Sequence, residues 1–285
     1  MRLASVMRDG RPTAAVVESR GVVTIDSVVP DGATPAPADA MGWIEPAPWT
    51  RLAEAVARAG DDVFTDSAAE TFTAPYRHPR KIWGIGLNYR EHAADLSESA
   101  PEQPASFIKG DHTIIGPDEP IVVPRQSERT TSEAELGLII GRLCRDVEES
   151  EALDYVWGVT TILDQTAEDI LRLNPRFLTR SKNFPSFFCF GPELVPLEEV
   201  LRSGPLETLE VSTIVNGTDR RSNTVANMTH RPASLVSFHS KMMPLFPGDI
   251  ISTGTPGAIV VGDGDRVAAS IPRVGQLRTS VTVQR

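Results

Sequence analysis

Apolar and polar positions alternate through the first 28 residues, where LASVM, TAAVV and GVVTID read as short strands separated by turns at RDGRP and ESRG. From Val29 to Pro48 the chain is crowded with Pro, Ala, Asp and Gly and reads as irregular. Thr50 is then placed to cap a helix in which Trp49, Leu52 and Val56 lie along one side and which ends at Gly60. These pieces predict a small N-terminal α/β module over residues 1–78, closing near Pro75–Pro79, with the rest of the chain, 79–285, as a second unit.

Beyond that boundary the pattern changes. KIWGIGLNY reads as a strand entering a Gly/Asn turn, REHAADLSE as a short helix, and ASFIKG, TIIGP and PIVVP as strand fragments bounded by Gly and Pro. After its opening glutamates AELGLIIG is apolar on both faces, as a strand covered on both sides must be. ESEALDYVW (149–157) reads as helical and GVTTILDQ as a further strand. LEVSTIVNG leads to a turn at Asn216-Gly217, and DIISTG is a late strand. Between those two, HRPASLVSFHSKMM reads as a helix with Leu235, Phe238 and Met242 on one face. Many short strands with scattered helices predict an α+β, sheet-rich core and not a βαβ repeat.

With 285 residues, 40% hydrophobic and 23% charged, the chain can bury a large core. A formal net charge of −10 and the lack of any basic run of five residues argue against a nucleic-acid partner. No stretch approaches the ~18 apolar residues of a membrane helix. The start, MRLASVMRDGRP, lacks the apolar centre of a signal peptide, and Cys144 and Cys189 have neither framework nor zinc-ligand spacing. The expectation is a cytoplasmic protein with two reduced, buried thiols.

Chemistry concentrates in three acids. Glu133 and Glu135 stand at i and i+2 on one strand, so both side chains point to the same face, and Asp164 ends the strand TTILD. Side-by-side carboxylates at the mouth of a buried strand repel and lose hydration, so protonation, an Arg or Lys partner, or a cation must offset the cost. Alternating acids also mark solvated strand faces, and a strand-end Asp also caps turns, but the apolar run after Glu135 disfavours a solvated face. Three oxygen ligands from two strands suit Mg²⁺ or Mn²⁺ and leave positions for water and substrate.

GLNYREHAADL (86–96), SFIKG (106–110), EAELGLIIGR (133–142), LDQTAED (163–169), RSKNFPSFFCFGP (180–192), VNG (215–217) and PGDIISTGTPGAI (247–259) occur in this order. Together they resemble the fumarylacetoacetate hydrolase family over about residues 80–272. The resemblance implies a mixed β-sandwich or roll core, usually a homodimer, with Mg²⁺ or Mn²⁺ on Glu133, Glu135 and Asp164. It also implies a small 1,3-dicarbonyl or 2-keto acid as substrate, cleaved by C–C hydrolysis, decarboxylated or isomerised. The shared physics is an enolate whose developing charge a chelated metal stabilises. His92 and Asp95, at i and i+3 on the expected helix, match a lid dyad that activates water. Lys182 matches a lysine that donates to the substrate oxyanion, and Lys109 a second lysine, structural or near substrate. Thr253, Gly254, Thr255 and Pro256 match a turn that donates to a substrate carboxylate. Each has a plainer reading as surface helix, solvated lysine or tight turn.

Several positions depart from the family pattern. Asp95 stands for Glu, Gly110 for Pro, Glu168 for Arg, Leu171 for Gln, and Arg221 stands where a Gln often follows the VNG turn. Exchanging a cation for an anion at 168 should disfavour a tetrahedral oxyanion by ~3 kcal/mol or more. Hydrolysis is the leading expectation, with Arg221, Lys109 and the Thr253–Thr255 turn binding substrate. Decarboxylation or isomerisation needs the enolate but no attacking water and tolerates these changes better. A catalytically silent keto-acid-binding relative is the third alternative.

Overall fold

The computed structural model describes residues 1–29, 39–91 and 101–285. The N-terminal part carries β1 (Arg2–Arg8), β2 (Arg11–Glu18), β3 (Gly21–Thr24), the helix α1 (Pro46–Arg58) and β4 (Phe72–Thr73). There follow β5 (Ile82–Gly86), β6 (Ala105–Lys109), β7 (Ile114–Ile115), β8 (Ile121–Val123) and the long pair β9 (Thr130–Ile140) and β10 (Val156–Ala167). Two short helices, α2 (Glu168–Leu173) and α3 (Leu178–Lys182), lead to β11 (Phe188–Phe190), β12 (Glu193–Pro196) and α4 (Leu197–Arg202). The chain closes with β13 (Glu210–Val215), β14 (Asp219–Thr224), α5 (Pro232–Met242), β15 (Ile250–Ser252), β16 (Ile259–Val261), β17 (Arg266–Ile271) and β18 (Gly275–Val283). This is a sheet-rich α+β fold. Among the described residues no helix is long and apolar enough to cross a membrane.

The strands form one large mixed sheet, running β3-β2-β1-β12-β10-β9-β15-β5-β6, and a smaller one, β14-β13-β17-β18-β8. The first residues of the chain thus share a sheet with the long central pair, through Leu3 opposite Leu194 in β12 and Val195 opposite Val159 in β10. Every residue of β9 is buried, as its two-sided apolar pattern demands. On one face Leu136, Leu138 and Leu163 pack with Val211, Val267 and Leu277 of the smaller sheet and with Leu235 and Val236 of α5. On the other, Ile139 and Ile162 pack with Leu3 and Val16, with Leu52 and Val56 of α1, and with Phe188 and Phe190. The central pair is therefore dry on both sides, and any polar group it carries must find partners inside the protein.

Local chemistry explains most of the elements. Asn216 and Gly217 both adopt positive φ, 53° and 75°, in the three-residue turn (216–218) that joins β13 to β14. α1 begins earlier than expected, because Pro46 sits in its first turn after Glu45; Thr50 lies inside and its hydroxyl bonds back to the Pro46 carbonyl at 3.0 Å. Arg20 satisfies the other end, donating to the carbonyls of Val56 and Ala59 at 2.9 Å each. The helix read over 149–157 is a single 3₁₀ turn, Ala152–Tyr155, since Val156 and Trp157 already belong to β10. α5 is where it was expected but rotated: Leu235, Val236, His239 and Ser240 are buried, while Met242 is 53% exposed. Ser237 and Ser240 select that face by hydrogen bonding the backbone of Val147. Both cysteines are free and buried, as expected. The helix read over 90–98, with His92 and Asp95, falls almost wholly outside the described residues.

Gly158 is where the central pair meets β12, and a Cβ there would lie 2.2 Å from the Val195 carbonyl oxygen. Backbone on both sides cannot yield cheaply. Gly158→Ala is expected to lower stability by about 2 kcal/mol or more, read as the midpoint of urea unfolding; an unchanged midpoint would show that β12 does not hold the pair as described.

Candidate metal centre and active site

The register of β9 and β10 builds the site. Asp164 lies directly opposite Glu133, and Ile162 opposite Glu135. Glu133, Glu135 and Asp164 therefore share one face, at the end of the pair beyond Ile139 and Ile162, and one oxygen of each lies within 4.8 Å of the others. All three are buried, Asp164 completely. Directly opposed like charges destabilise a sheet, and burial adds a penalty of the order of several kcal/mol per ion.

Two lysines answer part of that charge. Lys182, at the end of α3, places Nζ 2.9 Å from Glu133 Oε2 and 2.6 Å from Asp164 Oδ2. Lys109, the last residue of β6, donates to Asp164 Oδ1 at 2.6 Å and to the Lys182 carbonyl. Burial works against the charge on Lys182, but Asp164, Glu133 and Glu135 outweigh it and raise its pKa. In Lys109 burial wins over Asp164, and the pKa is lowered.

Among the described residues, hydroxyls and one amide add to the shell. Glu133 Oε1 accepts from Thr166 at 2.6 Å and Thr131 at 2.9 Å. Glu135 Oε2 accepts from Ser252 Oγ at 2.5 Å and from the Gly254 N–H at 2.8 Å, and neither lysine reaches it. Among the described residues two ammoniums meet three carboxylates, and Glu135 is the carboxylate that neither ammonium hydrogen-bonds. Burial, reinforced by Asp164, pushes the Glu135 pKa up to about 8. A hard, all-oxygen donor set, nearly dry and still negative, fits a divalent ion of the Mg²⁺ or Mn²⁺ type. Each carboxylate oxygen that accepts from an ammonium keeps a second lone pair for such an ion.

The other expected residues are placed as follows. Thr253 and Gly254 follow β15, with the Thr253 hydroxyl 2.8 Å from the Leu136 carbonyl, and Thr255 bonded to Gly257. Gly254 has φ +94°, and a Cβ there would meet Asn88, so the turn needs glycine to deliver its N–H to Glu135. Arg221 is exposed on β14, its aliphatic stem against Gly257. His92 and Asp95 lie outside the described residues. Gly110 keeps an N–H that a proline would lack and donates it to Asn183 Oδ1 at 2.8 Å, tying β6 to the end of α3, so that both lysines are held by one contact. Glu168 is paired with Arg129, and with Arg172 at 2.9 Å, so its charge is met by guanidiniums on its own side of the site. Thr131, Thr166 and Ser252 were not anticipated. Thr131 and Thr166 stand two residues from Glu133 and Asp164, and the same period-two rule that pairs the acids puts them on the acid face.

The model of the fumarylacetoacetate (FAA) hydrolase C-terminal family matches residues 81–282. An uncharacterized protein of Archaeoglobus fulgidus is 37% identical over 209 residues, 73% of this chain and 81% of that one. The 4-hydroxyphenylacetate degradation bifunctional isomerase/decarboxylase of Salmonella dublin is 36% identical over 216 residues, 75% of this chain and 50% of that one. The crystal structure of maleylpyruvate hydrolase from Sphingobium sp. SYK-6, in complex with manganese(II) ion and pyruvate, superposes with a TM-score of 0.83 at 27% identity and complete coverage of both chains. By that match over its central and C-terminal strands, this chain belongs to the fumarylacetoacetate hydrolase family.

Proposed function

We propose that the chain is a divalent-metal-dependent enzyme that hydrolyses a C–C bond in a small 1,3-dicarbonyl or 2-keto acid. The observation that carries this reading is the buried cluster of Glu133, Glu135 and Asp164, one oxygen of each within 4.8 Å of the others. Support comes from a maleylpyruvate hydrolase of the same fold whose crystal structure is in complex with manganese(II) ion and pyruvate. In this reading the three carboxylates hold the ion, and Thr131, Thr166, Ser252 and the Gly254 amide fix their orientation. When bound, the ion supplies Lewis acidity toward a keto oxygen and offsets the charge of an enolate. Lys182, held by two carboxylates, presents a permanent positive charge beside the substrate and favours an oxyanion there. His92, oriented by Asp95, takes a proton from the attacking water. Water adds to the carbonyl, the C–C bond breaks toward the enolate side, and the products are a carboxylic acid and a ketone-bearing acid.

One observation favours a second reading. Glu168 replaces a cation of the family pattern and is engaged by Arg129 and Arg172, so α2 contributes no positive charge to an oxyanion. Decarboxylation or double-bond isomerisation dispenses with that oxyanion, and the Salmonella dublin relative carries both activities in its name. Incubation with acylpyruvates, oxaloacetate and hydroxymuconate-type acids separates the two. Two fragments incorporating labelled water support hydrolysis, whereas CO₂ release or a spectral shift at constant mass supports the second reading. Glu135→Ala is expected to reduce metal-dependent turnover at least ~100-fold with any of these substrates. His92→Ala is expected to abolish hydrolysis but to spare decarboxylation; intact hydrolysis in that variant would remove the dyad from the mechanism.

The Glu135 carboxyl also sets a pH dependence. It keeps its proton up to about pH 8, and an ion must displace that proton to bind. Calorimetric titration with Mn²⁺ in two buffers of different ionisation enthalpy is expected to show close to one proton released per ion at pH 7. Affinity should rise ~10-fold per pH unit up to about 8 and then level. In the metal-free protein the native pKa of about 8 lies above the ordinary 4.5, so folding takes up a proton between these values. Stability should therefore decline over that window as pH rises, by at most ~1.4 kcal/mol per unit. Metal binding without proton release at pH 7 would contradict this account of Glu135.

A further inference from the structure

Among the described residues β6 is the last strand of the large sheet, with β5 as its neighbour, where Lys109 lies opposite Ile82 and Ile108 opposite Trp83. The backbone groups that flank Lys109 on the other side, the Ile108 carbonyl and the Gly110 N–H, are both bonded by one side chain. Asn183 Oδ1 accepts from the Gly110 N–H at 2.8 Å, and Asn183 Nδ2 donates to the Ile108 carbonyl at 3.1 Å. A residue of an added parallel strand would offer the same pair, an N–H to the carbonyl before Lys109 and a C=O to the N–H after it. The carboxamide of Asn183 thus takes the place of a strand residue on the outer edge of β6.

The same amide finishes α3. Its Nδ2 also donates to the Thr179 carbonyl at 2.8 Å, one of those that a helix end leaves without an intrahelical donor. Another of them, the Lys182 carbonyl, accepts from Lys109 Nζ. His112 Nε2 donates to the Asn183 carbonyl at 2.9 Å, and the Thr113 hydroxyl to the Gly110 carbonyl at 2.6 Å. Each partner of the Asn183 amide therefore lies on a segment that carries Lys109 or Lys182. Those lysines are buried and meet on Asp164, at 2.6 Å each, with Lys182 also on Glu133. Asp at 183 would have nearly the same shape but would turn a carboxylate oxygen toward the Ile108 and Thr179 carbonyls; an amide matches both sides at once.

We infer that Asn183 is a positioning residue for the lysine pair: acting as a peptide surrogate between β6 and α3, it fixes Lys109 and Lys182 on Asp164. Its value for catalysis rests on the proposed function above, in which Lys182 carries positive charge beside the substrate; the placement of the lysines is tested without it. The lysines are Lys81, Lys109, Lys182 and Lys241, and each can be followed by mass spectrometry during brief acetylation with acetic anhydride. In wild-type protein the exposed Lys241 should react, and Lys109 and Lys182 should be protected. In Asn183→Asp and Asn183→Leu both buried lysines should label about 10-fold faster or more, while Lys81, held by Asp249 at 2.7 Å, keeps its wild-type rate. Unchanged labelling of Lys109 and Lys182 would overturn the inference. So would equal acceleration at Lys81, which would make Asn183 a support of the whole fold.

A second measurement uses the wild-type protein. The Asn183 side-chain amide protons, read by NMR, should exchange with solvent at least ~10-fold more slowly than those of a free asparagine amide. Exchange at the free rate would also overturn the inference. With Mn²⁺ and an acylpyruvate, both variants should lower kcat about 10-fold or more and leave KM within ~3-fold, because the lysines act on charge that develops in the transition state. A loss confined to KM would contradict the role in positioning them. Absence of turnover in wild-type protein would count against the proposed function alone, because labelling and exchange still read the lysine pair.

Discussion

Two neighbouring strands hold carboxylates face to face where little water reaches. The antiparallel register that sets Asp164 opposite Glu133 also packs Ile139, Ile162 and Leu163 into cores on either side, so the acids cannot swing out to solvent without breaking the sheet. Exposed ion pairs return at most ~1 kcal/mol, far less than burying three carboxylates costs. The arrangement persists only because buried cations and hydroxyls come to it from elsewhere in the chain. Lys109 arrives on β6, Lys182 on α3, Thr131 and Thr166 on the paired strands themselves, and Ser252 on β15.

Much of the surrounding structure keeps those partners in place. β6 and α3 are tied by the Gly110 N–H and by Asn183, whose Nδ2 also donates to the Ile108 carbonyl at 3.1 Å. β15 lies between β9 and β5, which brings Ser252 and the Gly254 turn against Glu135. Glu135 receives a hydroxyl and an amide but no ammonium, and its proton affinity rises accordingly. A folded state that tolerates such a group by protonating it is ready to exchange that proton for a cation when one is present.

How much of this could be read beforehand follows from the range of each signal. The acid cluster was legible because strand periodicity is local: i and i+2 share a face whatever the rest of the fold does. The same rule would have found Thr131 and Thr166. The meeting of Lys109 and Lys182 was not legible, because 73 residues separate them and only the packing of α3 on β6 joins them. The helix read over 149–157 is cut to the turn Ala152–Tyr155, because β-branched Val156 and aromatic Trp157 already begin a strand. α5 was found, but the face expected from Leu235, Phe238 and Met242 is not the buried one, because Ser237 and Ser240 turn inward to bond the Val147 backbone. The departure at Glu168 was visible in the sequence, whereas its neutralisation by Arg129, 39 residues earlier, was not.

The direct test is whether the protein holds one ion at these three side chains. Metal-free protein titrated with Mn²⁺ and followed by water-proton relaxation should show one enhancing site per chain, competed by Mg²⁺ and altered by oxalate, and lost in Glu135→Gln and in Asp164→Asn. Binding that survives both substitutions, or no tight site at pH 8, would mean that Lys109 and Lys182 are the only cations this cluster ever holds.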